Sequence, residues 1–349
     1  MAYTTINKST DYFNTVLYTG NGSTQSITGV GFQTDFNWIK NRANTNNHSL
    51  IDVVRGIPQT LRCDVTSPET TDTGTITSFD SDGFSMSGTN GKVNTNGDTY
   101  ASWNWKANGA GSSNTDGSIS STVSVSATSG FSIVSYTGTG SAGTVGHGLG
   151  STPKMIIIKN ITQVTDWVVG HQEADTSNPW NKYLQLNDPT VPLDSPVFND
   201  TAPTNSVFSV GADGKTSSGA GSHIAYCFAD VQGYSKFGSY TGNGNADGTF
   251  VYTGFKSSFI LLKKSSGAGT DWYIFNNKSP GYNDNNKSLR ANTSATEASA
   301  SGYSMDILSN GFKIRTSNTA LGESGATYIY MAFAEAPLVG TNGVTAKAR

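Results

Sequence analysis

Reactive side chains are present in this sequence, but few stand in useful company. The four histidines, His48, His147, His171 and His223, lie at unrelated positions, and no two share a metal-ligand spacing. His147 falls in the glycine turn His147-Gly148-Leu149-Gly150. His223 occupies the outward phase of a strand, which predicts a surface position. Glycoside hydrolysis requires two carboxylates facing one sugar. Glu69, Glu173, Glu297, Glu323 and Glu335 form no local acid cluster, and only Glu335 adjoins a repeated strand. There is no Gly-x-Ser-x-Gly elbow and no phosphate-binding loop. Gly138-Thr139-Gly140 and Gly242-Asn243-Gly244 imitate a dinucleotide fingerprint without its third glycine or following helix. Asp80-Ser81-Asp82-Gly83 lacks the further oxygens of a calcium loop and reads as a hairpin turn. Cys63 and Cys227 read as free structural thiols. No cofactor or metal is expected. A polysaccharide-degrading enzyme is the weakest of the functional readings.

Binding needs less machinery. The loop from Asp175 to Tyr183 mixes aromatic rings with amides, and so does the loop from Pro280 to Asn286. Rings stack on the C–H faces of sugars while amides meet the hydroxyls. Trp180, Tyr183, Tyr282 and Asn283 are therefore the candidate ligand contacts. The competing reading is that these are solvated loops with Trp180 packed on its own repeat.

Such loops need a scaffold, and the sequence writes one three times. Val16 to Gly22, Ile133 to Gly140 and Phe237 to Gly244 each run through Tyr-Thr-Gly-x-Gly, a strand entering a glycine turn. The copies recur roughly every 105 to 120 residues, a domain-sized period. Each is followed by an apolar strand, from Phe36, Met155 and Phe259, and a closing strand. In the closing strands Ala101, Trp103 and Trp105 align with Ile224, Tyr226 and Phe228, and with Ile329, Met331 and Phe333. Large apolar residues hold one phase at period two, as a core face requires. The expected fold is all-β, with three tandem β-sandwich units of jelly-roll or lectin-like type. The divisions are an N-terminal arm (1–14), unit one (15–107), a Gly/Ser/Thr linker (108–129), unit two (130–232), unit three (233–336) and a tail (337–349). Within the linker, Ser120 to Ser126 alternates with valine and suits an edge strand.

Composition narrows the function. Of 349 residues only 13% are charged, and the net charge is −3. No basic stripe supports nucleic-acid binding. No apolar run approaches the ~18 residues of a membrane helix, so no membrane insertion is expected. The start, Met1 to Ile6, lacks the features of a signal peptide.

Several motifs carry a family likeness. They include Met1-Ala2-Tyr3-Thr4-Thr5-Ile6, Trp38-Ile39-Lys40-Asn41-Arg42 and Asp52-Val53-Val54-Arg55-Gly56. Others are Trp103-Asn104-Trp105-Lys106-Ala107, the run Gly146 to Met155, the run Lys236 to Gly244, and Ala332 to Pro337. Over nearly the whole chain these resemble a family of bacteriophage virion structural proteins, tail-fibre-like, of marine phages. Thr34 and Ser257 depart from it, where related repeats often carry proline. The resemblance implies a virion location after assembly in a host cytoplasm. It implies other virion proteins as partners and no catalytic residues. Fibres of this kind typically act as homo-oligomers, often trimers. The leading expectation is a tail fibre or receptor-binding appendage, anchored by unit one and touching host surface glycans through loops of unit two or three. The alternative is a capsid-surface decoration protein.

Overall fold

The computed structural model describes residues 3–280 and 282–340. The fold is all-β, and among the described residues the strands are interrupted by one four-residue α-helix, Gly214–Ser217, and three single-turn 3-10 helices. Three large antiparallel sheets repeat one pairing order. In the first, the opening strand Phe13–Thr19 pairs with the closing strand Thr99–Trp105. That strand pairs with Phe36–Asn41, which in turn pairs with Ser49–Asp52. The second sheet repeats this with Phe131–Thr137, Ser222–Phe228, Met155–Asn160 and Val168–His171, and extends to eight strands. The third repeats it with Ser235–Thr241, Thr327–Pro337, Phe255–Lys264 and Tyr273–Asn276.

A small sheet covers one face of each large one. The small sheets are built on Gln25–Ile27 with Gly83–Met86, Gly143–Gly146 with Val207–Val210, and Phe250–Tyr252 with Gly311–Ile314. Separate apolar cores fill these sandwiches. The opposite faces do not meet water. Trp103, Trp105, Tyr226, Phe228, Met331 and Phe333 all belong to one common core. The repeats therefore do not simply follow one another along a line, because their large sheets face inward around a shared centre. Trp105, Phe228 and Phe333 occupy equivalent closing-strand positions, and their rings form a closed triangle. Centroids lie 6.4 Å apart for Trp105–Phe228, 5.6 Å for Trp105–Phe333 and 6.1 Å for Phe228–Phe333.

The Tyr-Thr-Gly segment has a common role in all three repeats. Its tyrosine hydroxyl donates to a carbonyl in the loop before the closing strand: Tyr18 to Val93, Tyr136 to Thr216, Tyr240 to Leu321. Its glycine lies against the same loop. A Cβ on Gly20, Gly138 or Gly242 would sit 2.4, 2.4 or 2.3 Å from a backbone oxygen. No other residue fits that approach without moving the loop.

Two expected boundaries change. The presumed linker, 108–129, contributes strands Ser112–Asn114 and Ser121–Ser126 to the eight-stranded sheet. Its polar composition hides one apolar side, where Ile119 and Val123 enter the core. The N-terminal arm is docked: Ile6 lies in the common core, and the first strand already begins at Phe13. Met1, Ala2 and 341–349 of the tail lie outside the described residues.

Removing a wall of the shared core should weaken all three sheets together. Trp105→Ala is expected to cost about 3–5 kcal/mol, read as a lower urea midpoint of a single transition. Among the described residues the Trp105 indole N–H has no hydrogen-bond partner. Trp105→Phe removes that orphan donor and installs the ring found at Phe228 and Phe333, so it should cost less than the alanine variant. Three separate wild-type transitions would contradict a common core.

Candidate functional site

The groups able to do chemistry are mostly consumed by the architecture. His48, Trp167 and Trp272 immediately precede equivalent strands, and each reaches into a neighbouring repeat. Trp167 Nε1 donates to Arg62 O at 2.9 Å and Trp272 Nε1 to Gln185 O at 2.8 Å. His48 Nε2 meets Arg290 O at 2.9 Å. Trp38 Nε1 donates to His48 Nδ1, so the proton of His48 belongs on Nε2. The acceptors Arg62, Gln185 and Arg290 are themselves equivalent, so the three bonds close a ring: second repeat to first, third to second, first to third.

A second ring runs parallel to it. Lys40, Lys159 and Lys263 are equivalent and fully buried. Each ammonium bonds a carbonyl of its own repeat, Asn46, Thr165 or Thr270. Each also bonds a carbonyl of the neighbour, Ser294, Thr66 or Pro189. Burial lowers all three lysines to about 8. They remain charged at neutral pH, where the carbonyl oxygens take the place of water.

Two of the other histidines are committed to hydrogen bonds, whereas both buried ring nitrogens of His223 have no partner among the described residues. His171 Nδ1 accepts from Glu173 N, and its Nε2 faces Tyr330 O of the third repeat at 3.1 Å. His147 Nδ1 accepts from Leu149 N, and its Nε2 faces Thr204 O. His223 is buried, contrary to its expected surface position. The small sheet and its loops cover that face, so the strand has no solvent side. Its ring stacks on Tyr136 at 5.0 Å, as Tyr100 stacks on Tyr18 at 5.1 Å and Tyr328 on Tyr240 at 4.9 Å.

The carboxylates are paired in the same way. Arg55, buried against the common core, holds Asp52 at 2.6 Å and Glu69 at 2.9 Å, while the Tyr226 hydroxyl donates to Asp52. Those neighbouring acids raise the Arg55 pKa against the opposing effect of its burial. Arg42 grips Glu297 through two bonds, Lys264 pairs with Glu323, and Lys256 with Glu335. Glu173 accepts from the Ser239 hydroxyl. Asp82 of the acidic hairpin spends both oxygens on the Gly29 and Gly31 amides, which lower its pKa. Among the described residues no group of three His, Cys, Asp or Glu is placed to hold a metal. Cys63 and Cys227 are buried and unbridged.

The four candidate ligand contacts fall on equivalent hairpins, one between Val168–His171 and Lys182–Gln185, the other between Tyr273–Asn276 and Lys287–Arg290. Trp180 and Tyr183 come together, but inside the second sandwich. Trp180 meets Phe198 edge-on at 5.3 Å, and Gly170 leaves it room. Trp180 itself also lines a cleft of about 420 Å³, with Lys154, Gln172, Asn178, Asn181 and Asp200. Tyr282 stands 79% exposed. Asn283 exchanges two bonds with the backbone of Ile307. Of the four, only Tyr282 presents a free ring.

Another aromatic site stands on the surface without a sequence motif to mark it. Phe250 and Tyr252 are 45% and 54% exposed on the third small sheet, beside the docked Tyr3. Laying the repeats over one another would have exposed it, because Ser26 and Thr144 stand where Phe250 does.

A family model described as Domain of unknown function (DUF7483) matches residues 8–337. The chain belongs to that family. No curated protein and no solved structure matches it. The one family model spans all three large sheets, in keeping with their common core.

The histidines make acid stability testable. Burial lowers His48, His171 and His223 to about 4 from the usual 6.5. The folded state keeps them neutral while the unfolded chain takes up protons below 6.5. Their contribution is therefore complete above pH 6.5 and is lost as pH falls towards 4. By pH 5 the loss is about 2 kcal/mol for each. His223→Tyr copies Tyr100 and Tyr328 and should flatten part of this slope in urea melts between pH 7 and 5. An unchanged slope would show that His223 does not titrate there.

Proposed function

We propose that the chain is a structural component of a bacteriophage particle, a tail fibre or receptor-binding appendage that contacts host surface glycans. One observation carries the structural part of this reading: the two closed rings of hydrogen bonds around a common aromatic core. They make one chain a rigid block from which three sandwiches project. His48, His171, Glu173 and Glu297 each bond a neighbouring repeat, which suits a scaffold better than a catalyst. The likeness of the Trp38–Arg42, Trp103–Ala107 and Gly146–Met155 motifs to tail-fibre-like proteins supplies the particle. Other virion proteins are the expected partners.

The same geometry favours one second reading, a capsid-surface decoration protein. A threefold arrangement completed within one chain fits a threefold site without a homotrimer. The stability that short modules gain by trimerising is then already supplied internally.

Cryo-electron microscopy of the particle decides between them. Density for this fold on the tail is the expected result. Density on the capsomers would overturn the appendage in favour of decoration, and particles without the fold would remove both.

A further inference from the structure

The repeats agree closely wherever the fold needs them to, so a difference at one position is informative. Val251, Ile27 and Val145 are equivalent, each pairing with the buried phenylalanine of its small sheet: Phe312, Phe84 and Phe208. In the first repeat the flanking Ser26 and Thr28 are exposed, whereas in the second Thr144 is half-buried and Gly146 lies buried against Asn114. The third alone has Phe250 and Tyr252, on one exposed side of an edge strand. The first repeat folds with small exposed residues at these positions, so packing does not require the rings. At ~3.4 Å per residue the two side chains stand roughly 7 Å apart and form an elongated apolar platform.

Polar groups flank the platform. The N-terminal arm brings Tyr3 across, its hydroxyl donating to Gly254 O at 2.7 Å and lying 3.4 Å from the Tyr252 hydroxyl. Tyr3 and Tyr252 line a cleft of about 400 Å³ with Asp230, Gln232, Lys236 and Thr253. A second cleft of about 670 Å³ shares Tyr3, Asp230 and Gln232, so the two adjoin along one wall. Asp230 and Lys236 pair at 3.3 Å, which leaves the wall polar but without net charge.

We propose that this groove binds a neutral glycan, with pyranose C–H faces stacked on Tyr252 and Phe250 and hydroxyls bonded to Asp230, Gln232 and Lys236. Exposed rings beside balanced donors and acceptors suit a ligand with one apolar face and many hydroxyls. A charged glycan would have to break the Asp230–Lys236 pair. The inference rests on the reading of the protein as a glycan-contacting appendage and places that contact on the third small sheet, away from Trp180 and Tyr183.

The test uses the full chain on immobilised neutral oligosaccharides of glucose, galactose and N-acetylglucosamine, with uronic-acid oligosaccharides alongside. Phe250→Ser with Tyr252→Thr supplies residues of the kind the first repeat carries, and an unchanged melting temperature checks its fold. Tyr282→Ala is the comparison. The expected result is neutral-glycan binding that weakens about tenfold or more in the double variant and persists in Tyr282→Ala. Binding that survives the double variant, or is confined to uronic acids, would overturn this site while leaving a glycan-contacting protein. Absence of wild-type binding to every sugar would overturn the site and count against the glycan reading with it. Capture of another virion protein by the groove, lost in the double variant without sugar binding, would assign it to assembly instead.

Discussion

Burial on both faces of each large sheet is the constraint from which the rest follows. An antiparallel sheet commonly gives one face to a core and the other to water. Here the outer face packs on a small sheet and the inner face on the other two large sheets. No repeat can satisfy its inner face alone, because Trp105, Phe228 and Phe333 are one another's walls. The modest length of each repeat is sufficient only because a fourth core is held in common by all three.

That constraint also explains what the sequence revealed and what it hid. Period-two alternation is local, so the register of the closing strands was legible from Trp103, Tyr226 and Met331. Alternation does not say what an apolar face meets, and a private core and a common one read alike. The same gap misplaced His223, whose outward phase leads to solvent only in a sheet with one covered face. In the supposed linker the valine alternation of Ser120 to Ser126 was legible as a strand, but the all-polar Ser112–Asn114 that pairs outside it was not. Among the ligand candidates, residue type marked Trp180 and Tyr183 but could not reveal that Phe198 and Gly170 make a place for Trp180 inside. Phe250 and Tyr252 stand out only against Ser26 and Thr144, a comparison between repeats and not a motif.

The rings formed by His48, Trp167 and Trp272, and by the three lysines, lie where the repeats meet. Buried ammonium groups need close partners, and a slipped arrangement would separate Lys40, Lys159 and Lys263 from their carbonyls. The aromatic core favours association in general, whereas these bonds admit one relative placement. They also draw charge away from the exterior. With only 13% of residues charged and several of those enclosed, the outer surface is more neutral than composition alone suggests.

Each ring has a direction. Every repeat offers a donor side chain to one neighbour and a backbone acceptor to the other, a head-to-tail contact of the sort that winds into a filament when its rotation fails to close. Here the circuit returns to its start after three steps within one polypeptide. Both ends of that potential chain are occupied by the molecule itself, which makes the contact self-terminating. Among the described residues every head and tail of this contact is taken up within the chain, which leaves the small sheets and their loops facing outward.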